Sequence, residues 1–162
     1  MKSHPKKPIL PYITIPVAVT LTAVIGNYCT NIGLATWYTT LQLPSFTPPG
    51  IVIGLAWMTI YILTTIAIFL IWERKINLHQ AKMFTVLFLL NGFLNAYWSY
   101  LFFVRHNILG SLYEMIILEA SVVILIILAA RIQKTAAILL VPYAAWVVFA
   151  TYSTYQILIL NR

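Results

Sequence analysis

The chain of 162 residues is 62% apolar and only 8% charged, where soluble domains run at about 45–50% and about 25%, so it cannot clothe a water-soluble surface. Its formal charge of +7 comes from ten basic residues scattered near the ends of apolar runs, without the basic and aromatic groove of a nucleic-acid binder; no nucleic-acid partner is expected. A single cysteine, Cys29, excludes an internal disulfide or a cysteine metal cluster, and its apolar surroundings read as those of a buried small side chain.

The basic start, Met1–Lys7, resembles that of a signal peptide, but no small-residue cleavage site follows, so it reads as the lead into a retained first helix. Residues 8–72 then contain no Asp, Glu, Lys, Arg or His. That run is too long for one crossing and fits two. The first covers about 9–31, with Pro11 and Pro16 in its opening turns, where a missing N–H costs least. Residues 32–50 are aromatic and uncharged, and Pro44, Pro48 and Pro49 prevent a continuous helix. This loop is expected to pack over the membrane end of the bundle as a cover. The second span is 51–72, about 33 Å of helix against a hydrocarbon core of about 30 Å. The third is 83–104, the fourth 108–130 and the fifth about 135–160, separated by short charged breaks. Strands of a membrane barrel would be alternating segments of about ten residues, so the expectation is an all-α membrane protein, a five-transmembrane-helix bundle with antiparallel sequence neighbours.

Lys2, Lys6, Lys7, Arg74, Lys75, Lys82, Arg131 and Lys134 fall on one side of five crossings, and Arg105 and Arg162 on the other. By the positive-inside rule the N-terminus is cytoplasmic and the long loop extracytoplasmic, in a membrane of the bacterial plasma type.

Polar residues inside the spans are costly in lipid and therefore informative. Asn91, Asn95, Trp98 and Phe102 make one stripe of the third span, either as glue between helices or with an amide lining a ligand cavity. Trp57 and Tyr61 share a face of the second span; Pro142, Trp146, Ala150 and Ser153 share one on the fifth, with Tyr143 beside them. Trp57, Trp98 and Trp146 lie deeper than an interfacial belt requires, which suits a flat apolar cavity with a few polar contacts, or a packed aromatic core. Glu114 and Glu119 lie about 9 and 16 Å into the fourth span, about 140° apart around it. They should face protein, pair or be protonated, as a proton relay or as structural hydrogen-bond donors. Gly50 and Gly54, and Gly92 and Ala96, are small-residue pairs able to seat a helix closely; the second pair is the candidate contact of a homodimer.

Enzyme signatures are missing: there is no phosphate loop and no HExxH, and Asp is absent altogether. His4, His79 and His106 lie at the span boundaries without metal-ligand spacing and read as solvated; no metal site is expected.

Three segments carry a wider pattern: residues 37–49 (WYTTLQLPSFTPP), 95–103 (NAYWSYLFF) and 142–151 (PYAAWVVFAT). In this order they resemble the tryptophan-rich sensory protein / translocator protein family (TspO/MBR, the peripheral benzodiazepine receptor family), over nearly the whole chain. The resemblance implies a five-helix bundle, usually homodimeric, with a pocket beneath the first loop. It implies a receptor for tetrapyrroles such as protoporphyrin IX or haem, as ligands and not required cofactors, and for benzodiazepine-type and related flat hydrophobic molecules. Some members are linked to light-dependent porphyrin breakdown and to sensory regulation. The pocket residues it implies are Tyr28 from the first helix, Trp37 and Pro44 in the cover, and Trp57, Asn95, Phe102, Trp146 and Ala150. No conventional catalytic residue is implied; Trp146 is the candidate electron donor if an excited porphyrin reacts. Two departures bear on the ligand. Leu43 stands where many members have a basic residue, and Ser153 where many have a Leu-Asn pair. The alternatives to a receptor are a transporter of porphyrin or another small hydrophobic molecule, against which stands the lack of an inverted repeat, and a regulatory membrane partner protein.

Overall fold

The computed structural model describes residues 10–74 and 78–162, the side chains at 10, 11 and 78 excepted. Lys2, Lys6, Lys7, Lys75 and His4 lie outside these residues. Five helices follow one another: α1 (Leu10–Leu34), α2 (Gly50–Trp72), α3 (Leu78–Ser99), α4 (Ile108–Ile132) and α5 (Lys134–Leu160). Each is long and apolar enough to cross a membrane, and the chain is an integral, multi-pass, all-α membrane protein. The third helix starts at Leu78, before the charged residues have ended. Its last turn, Tyr100–Val104, is π-helical, closed by the Arg105 N–H donating to the Tyr100 carbonyl at 3.0 Å. The wider turn lets two consecutive rings, Phe102 and Phe103, both turn inward and become buried.

The helices form a ring in the order α1, α2, α5, α4, α3 and back to α1. Lipid tails give apolar helices no hydrophobic reason to associate, so close packing must do so. Alanines provide it between α4 and α5, where Ala129 and Ala136 are wholly buried beside Leu125 and Leu140. Between α1 and α3 it comes from a seam of small residues that the sequence reading missed. A Cβ on Gly92 would sit 2.9 Å from Thr22 Oγ1, one on Gly26 would sit 3.6 Å from Ser99 Oγ, and one on Gly33 would collide with the Phe103 carbonyl. Cys29, buried in the same stripe of α1, completes it as a small side chain.

This seam corrects two expectations. Gly92 and the buried Ala96 join α1 to α3 within one chain, so they are not a free face for a homodimer. Gly50 and Gly54 seat no helix of this chain: among the described residues a Cβ at either would meet no atom within 4 Å.

The bundle has two unlike ends. At one, Ile15 of α1, Ala67, Ile68 and Ile71 of α2, Phe84 and Phe88 of α3, and the α4–α5 alanines form one continuous core. Tyr12 stacks on Phe69 there at 5.4 Å, closing α1 onto α2, and Arg74 donates to Gln133 Oε1 at 2.6 Å, tying α2 to the single-residue α4–α5 joint. At the other end the core is aromatic: Phe102, Phe103 and Ile157, with Trp37, Tyr38 and Trp98 packed on them.

Candidate ligand cavity

At the aromatic end α1 and α2 part, and a cavity of about 1070 Å³ opens between α1, α2, α3 and α5, closed above by the loop before α2. Trp57 and Tyr61 of α2, Asn95, Trp98 and Phe102 of α3, and Trp146, Ala150 and Ser153 of α5 line it. Trp57 stacks on Tyr61 at 5.8 Å and meets Tyr143 edge-on at 6.2 Å; Trp98 stacks on Phe102 at 5.3 Å. The indole Nε1 atoms of Trp98 and Trp146 are both buried with no hydrogen-bond partner among the described residues. No Lys, Arg, His, Asp or Glu lines the cavity among the described residues. Leu43, at the position where a basic residue was expected, forms part of the roof.

Behind the floor runs a chain of hydrogen bonds across four helices. The Tyr61 hydroxyl donates to Asn95 Oδ1 (3.1 Å), Asn95 Nδ2 to the Tyr143 hydroxyl (3.2 Å), that hydroxyl to Asn91 Oδ1 (3.1 Å), and Asn91 Nδ2 to Ser121 Oγ (2.7 Å). Ser121 ends it by donating to the Leu118 carbonyl of its own helix at 2.7 Å. Asn91 is therefore glue between helices, while Asn95 serves both purposes, facing the cavity with its amide engaged. Tyr143, which the sequence placed only beside a stripe, is the buried centre of the chain.

Neither intramembrane acid joins this chain. Among the described residues, Glu114 is buried with both oxygens unpartnered, and Glu119 has one buried oxygen without a partner. The Asn91–Ser121 bond fixes the level at which α3 and α4 pair. Seven residues along each helix, about two turns, it brings Trp98 and Glu114 to one level. A donor and an acceptor, both without a partner among the described residues, thus stand at the same level of α3 and α4.

Three expected pocket residues do not line the cavity. Tyr28 is 68% exposed on the outside of α1, because the inner face of that helix belongs to the small-residue seam and to the cavity residues Ala23, Asn27 and Asn31. Trp37 lies beyond the wall: it stacks on His106 at 4.5 Å, with only 12° between the ring planes, and meets Phe102 edge-on at 5.1 Å. His106 is therefore a partner of the loop and not simply solvated; its φ of 50° places it in the left-handed region, as the tight joint before α4 demands. Pro44 is buried and acts through its carbonyl, which accepts the Thr47 N–H at 3.0 Å and the Thr47 hydroxyl at 2.8 Å, setting the turn that brings Thr47 onto the cavity.

Two further anchors fix the loop. Asn161 binds the Gln42 backbone twice, accepting its N–H at 2.9 Å and donating to its carbonyl at 3.0 Å, and Phe46 stacks on Tyr152 at 5.4 Å. Tyr38, in the single 3-10 turn of the loop, lines the cavity, and burial raises its phenol above the ordinary value. Asn161 carries no signal in the sequence. The α1 wall carries one that was overlooked: Asn27 and Asn31, four residues apart, are a polar pair on one face of an apolar span.

The TspO/MBR family model matches residues 12–160. The tryptophan-rich protein TspO of Archaeoglobus fulgidus is 33% identical over 156 residues, covering 94% of this chain and 98% of the relative. The protein of that name from Bacillus cereus is 33% identical over 126 residues, 78% of this chain and 81% of its own. The human translocator protein is 27% identical over 150 residues, 91% and 88% of the two chains. With the family model spanning all five helices, the chain belongs to the TspO/MBR family.

Proposed function

We propose that the protein is a membrane receptor for a tetrapyrrole, with metal-free protoporphyrin IX as the ligand its cavity suits best. The observation that carries this reading is a cavity of about 1070 Å³ walled by Trp57, Trp98 and Trp146 and free of charged side chains. Pockets for drug-sized ligands span about 300–1,000 Å³, so there is room for a large flat molecule. Indole faces supply stacking surface, worth about 0.5–1.5 kcal/mol per aromatic pair beyond burial. For haem, no histidine or cysteine lines the cavity among the described residues, and the axial ligands on offer are the thioethers of Met58 and Met115 and the phenols of Tyr38 and Tyr61; a metal-free porphyrin needs none. The loop faces the extracytoplasmic side, and ligand reaches the cavity under it or from the bilayer where α1 and α2 part. Light-driven breakdown would be chemistry of the excited porphyrin, with Trp146, on the cavity wall, as the first candidate for electron donor.

The test is titration of the purified protein with protoporphyrin IX, followed by tryptophan fluorescence. Saturable quenching is expected, weakened roughly threefold to tenfold by Trp146→Phe through loss of indole stacking surface. Quenching that never saturates, or that is the same in Trp146→Phe and in Asn95→Ala, overturns the pocket assignment.

A further inference from the structure

The wall facing the three tryptophans is α1, and it is the polar wall. Asn27 and Asn31 both line the cavity and are both exposed to it. Four residues apart on a helix, they stand one above the other, about 5–6 Å between Cβ atoms. Their carboxamides have no hydrogen-bond partner among the described residues, unlike those of Asn91 and Asn95, which are held in the chain behind the floor. Nearby Thr30 is already committed, donating to the Gly26 carbonyl at 2.8 Å. Across the gap, at the same end of the bundle, Gly50 and Gly54 of α2 leave open space where side chains would stand. An amide left bare at the apolar interior of a membrane is costly, and two at helical spacing on the cavity side give a ligand a pair of donors and a pair of acceptors.

We infer that Asn27 and Asn31 form a neutral amide clamp for the oxygen-bearing edge of the ligand, which lies in the gap left by Gly50 and Gly54 while its flat body rests on the indoles opposite. The clamp does for this cavity what a cationic side chain would otherwise do: it holds a carboxylic acid or carbonyl edge through N–H donors, without a buried charge. It makes Asn27 and Asn31 specificity-determining residues. This inference rests on the porphyrin reading and extends it to the ligand's orientation and polar groups.

The test compares two porphyrins, protoporphyrin IX with two carboxylic acid side chains and octaethylporphyrin with none, titrated into the unaltered protein and into an Asn27→Leu/Asn31→Leu double variant in the same detergent. The unaltered protein is expected to bind the diacid about tenfold or more tightly than octaethylporphyrin, and the double variant to lose that preference while keeping its affinity for octaethylporphyrin. Leucine suits a membrane helix, and helical content by circular dichroism checks the fold. Should the double variant fail to fold, Asn27→Asp replaces it; its added carboxylate is expected to weaken the diacid and spare octaethylporphyrin. An unchanged preference in the variants, or an equal loss for both porphyrins, overturns the clamp and leaves the receptor reading standing. If the unaltered protein binds neither porphyrin, the receptor reading falls and takes the clamp with it.

Discussion

The two ends of this bundle are built from the same five helices and differ in what fills the space between them. At the end of Ile15, Ala67 and Ala129, alanines and aliphatic residues interdigitate with Phe84 and Phe88 in one continuous core. At the end of Phe102 and Trp98, rings stack on one another beside a cavity roofed by a loop. The dense end holds the helices at a fixed spacing, and the aromatic end can then remain hollow. In a bilayer, where burial of apolar surface gives no net gain between helices, this division is a practical one: stability and recognition are assigned to different layers of the same structure.

Paired glycine substitutions sharpen the picture of the aromatic end most. Gly33→Ala drives a methyl into the Phe103 carbonyl, a backbone atom that cannot swing away. It is expected to lower the thermal midpoint in detergent by many degrees, an overpacking cost of about 1–3 kcal/mol or more. Gly54→Ala meets open space and should leave the midpoint unchanged or raise it, since alanine is the better helix former by about 1 kcal/mol. Both glycines stand at the aromatic end, so equal losses in the two variants would contradict the reading that this end is packed along the α1–α3 seam and hollow on its α2 side.

A second pair has a smaller effect. Ala129→Leu, at a wholly buried site of the dense end, is expected to destabilise by about 1–3 kcal/mol. Ala150→Leu, at the cavity wall, should keep the thermal midpoint and instead weaken porphyrin binding by occupying its space. Binding that survives Ala150→Leu unaltered would place the ligand elsewhere. Smallest in stability is Asn161→Ala, which removes both hydrogen bonds to the Gln42 backbone. At about 0.5–1.5 kcal/mol per bond it should loosen the roof and speed release of a bound porphyrin in stopped-flow displacement, with little change in the midpoint. An unchanged release rate would mean that Trp37 on His106 and Phe46 on Tyr152 hold the loop without it.

The sequence made five crossings readable because hydropathy and charge are local properties, and it made much of the cavity readable because tryptophan and asparagine are conspicuous in apolar spans. It hid what depends on which way a helix faces. Tyr28 and Asn27 are neighbours in the chain and equally visible in it, yet one is turned outward and the other lines the cavity. Their difference follows from the seam of Gly26 and Gly33 against Ser99 and Phe103, a rotation that no span assignment contains. The π-helical turn at Tyr100–Val104 was likewise invisible; an added residue in a helical turn leaves no mark on hydropathy. Trp37 and Pro44 read correctly as loop residues, but their action is indirect, through a ring stack and a turn.

The hydrogen-bond chain from Tyr61 to Ser121 has a direction. Every link donates away from the cavity, so its first member presents an unused lone pair on the Tyr61 oxygen to whatever arrives. A guest that offers an N–H or O–H there lengthens the series and polarises each bond after it in the same sense. A guest that needs a donor there must first take the proton away from Asn95, and the disturbance reaches α4 through Tyr143 and Asn91. The floor of the cavity thus behaves as a rectifier for hydrogen bonds: it welcomes one polarity of ligand and is unsettled by the other, four helices deep.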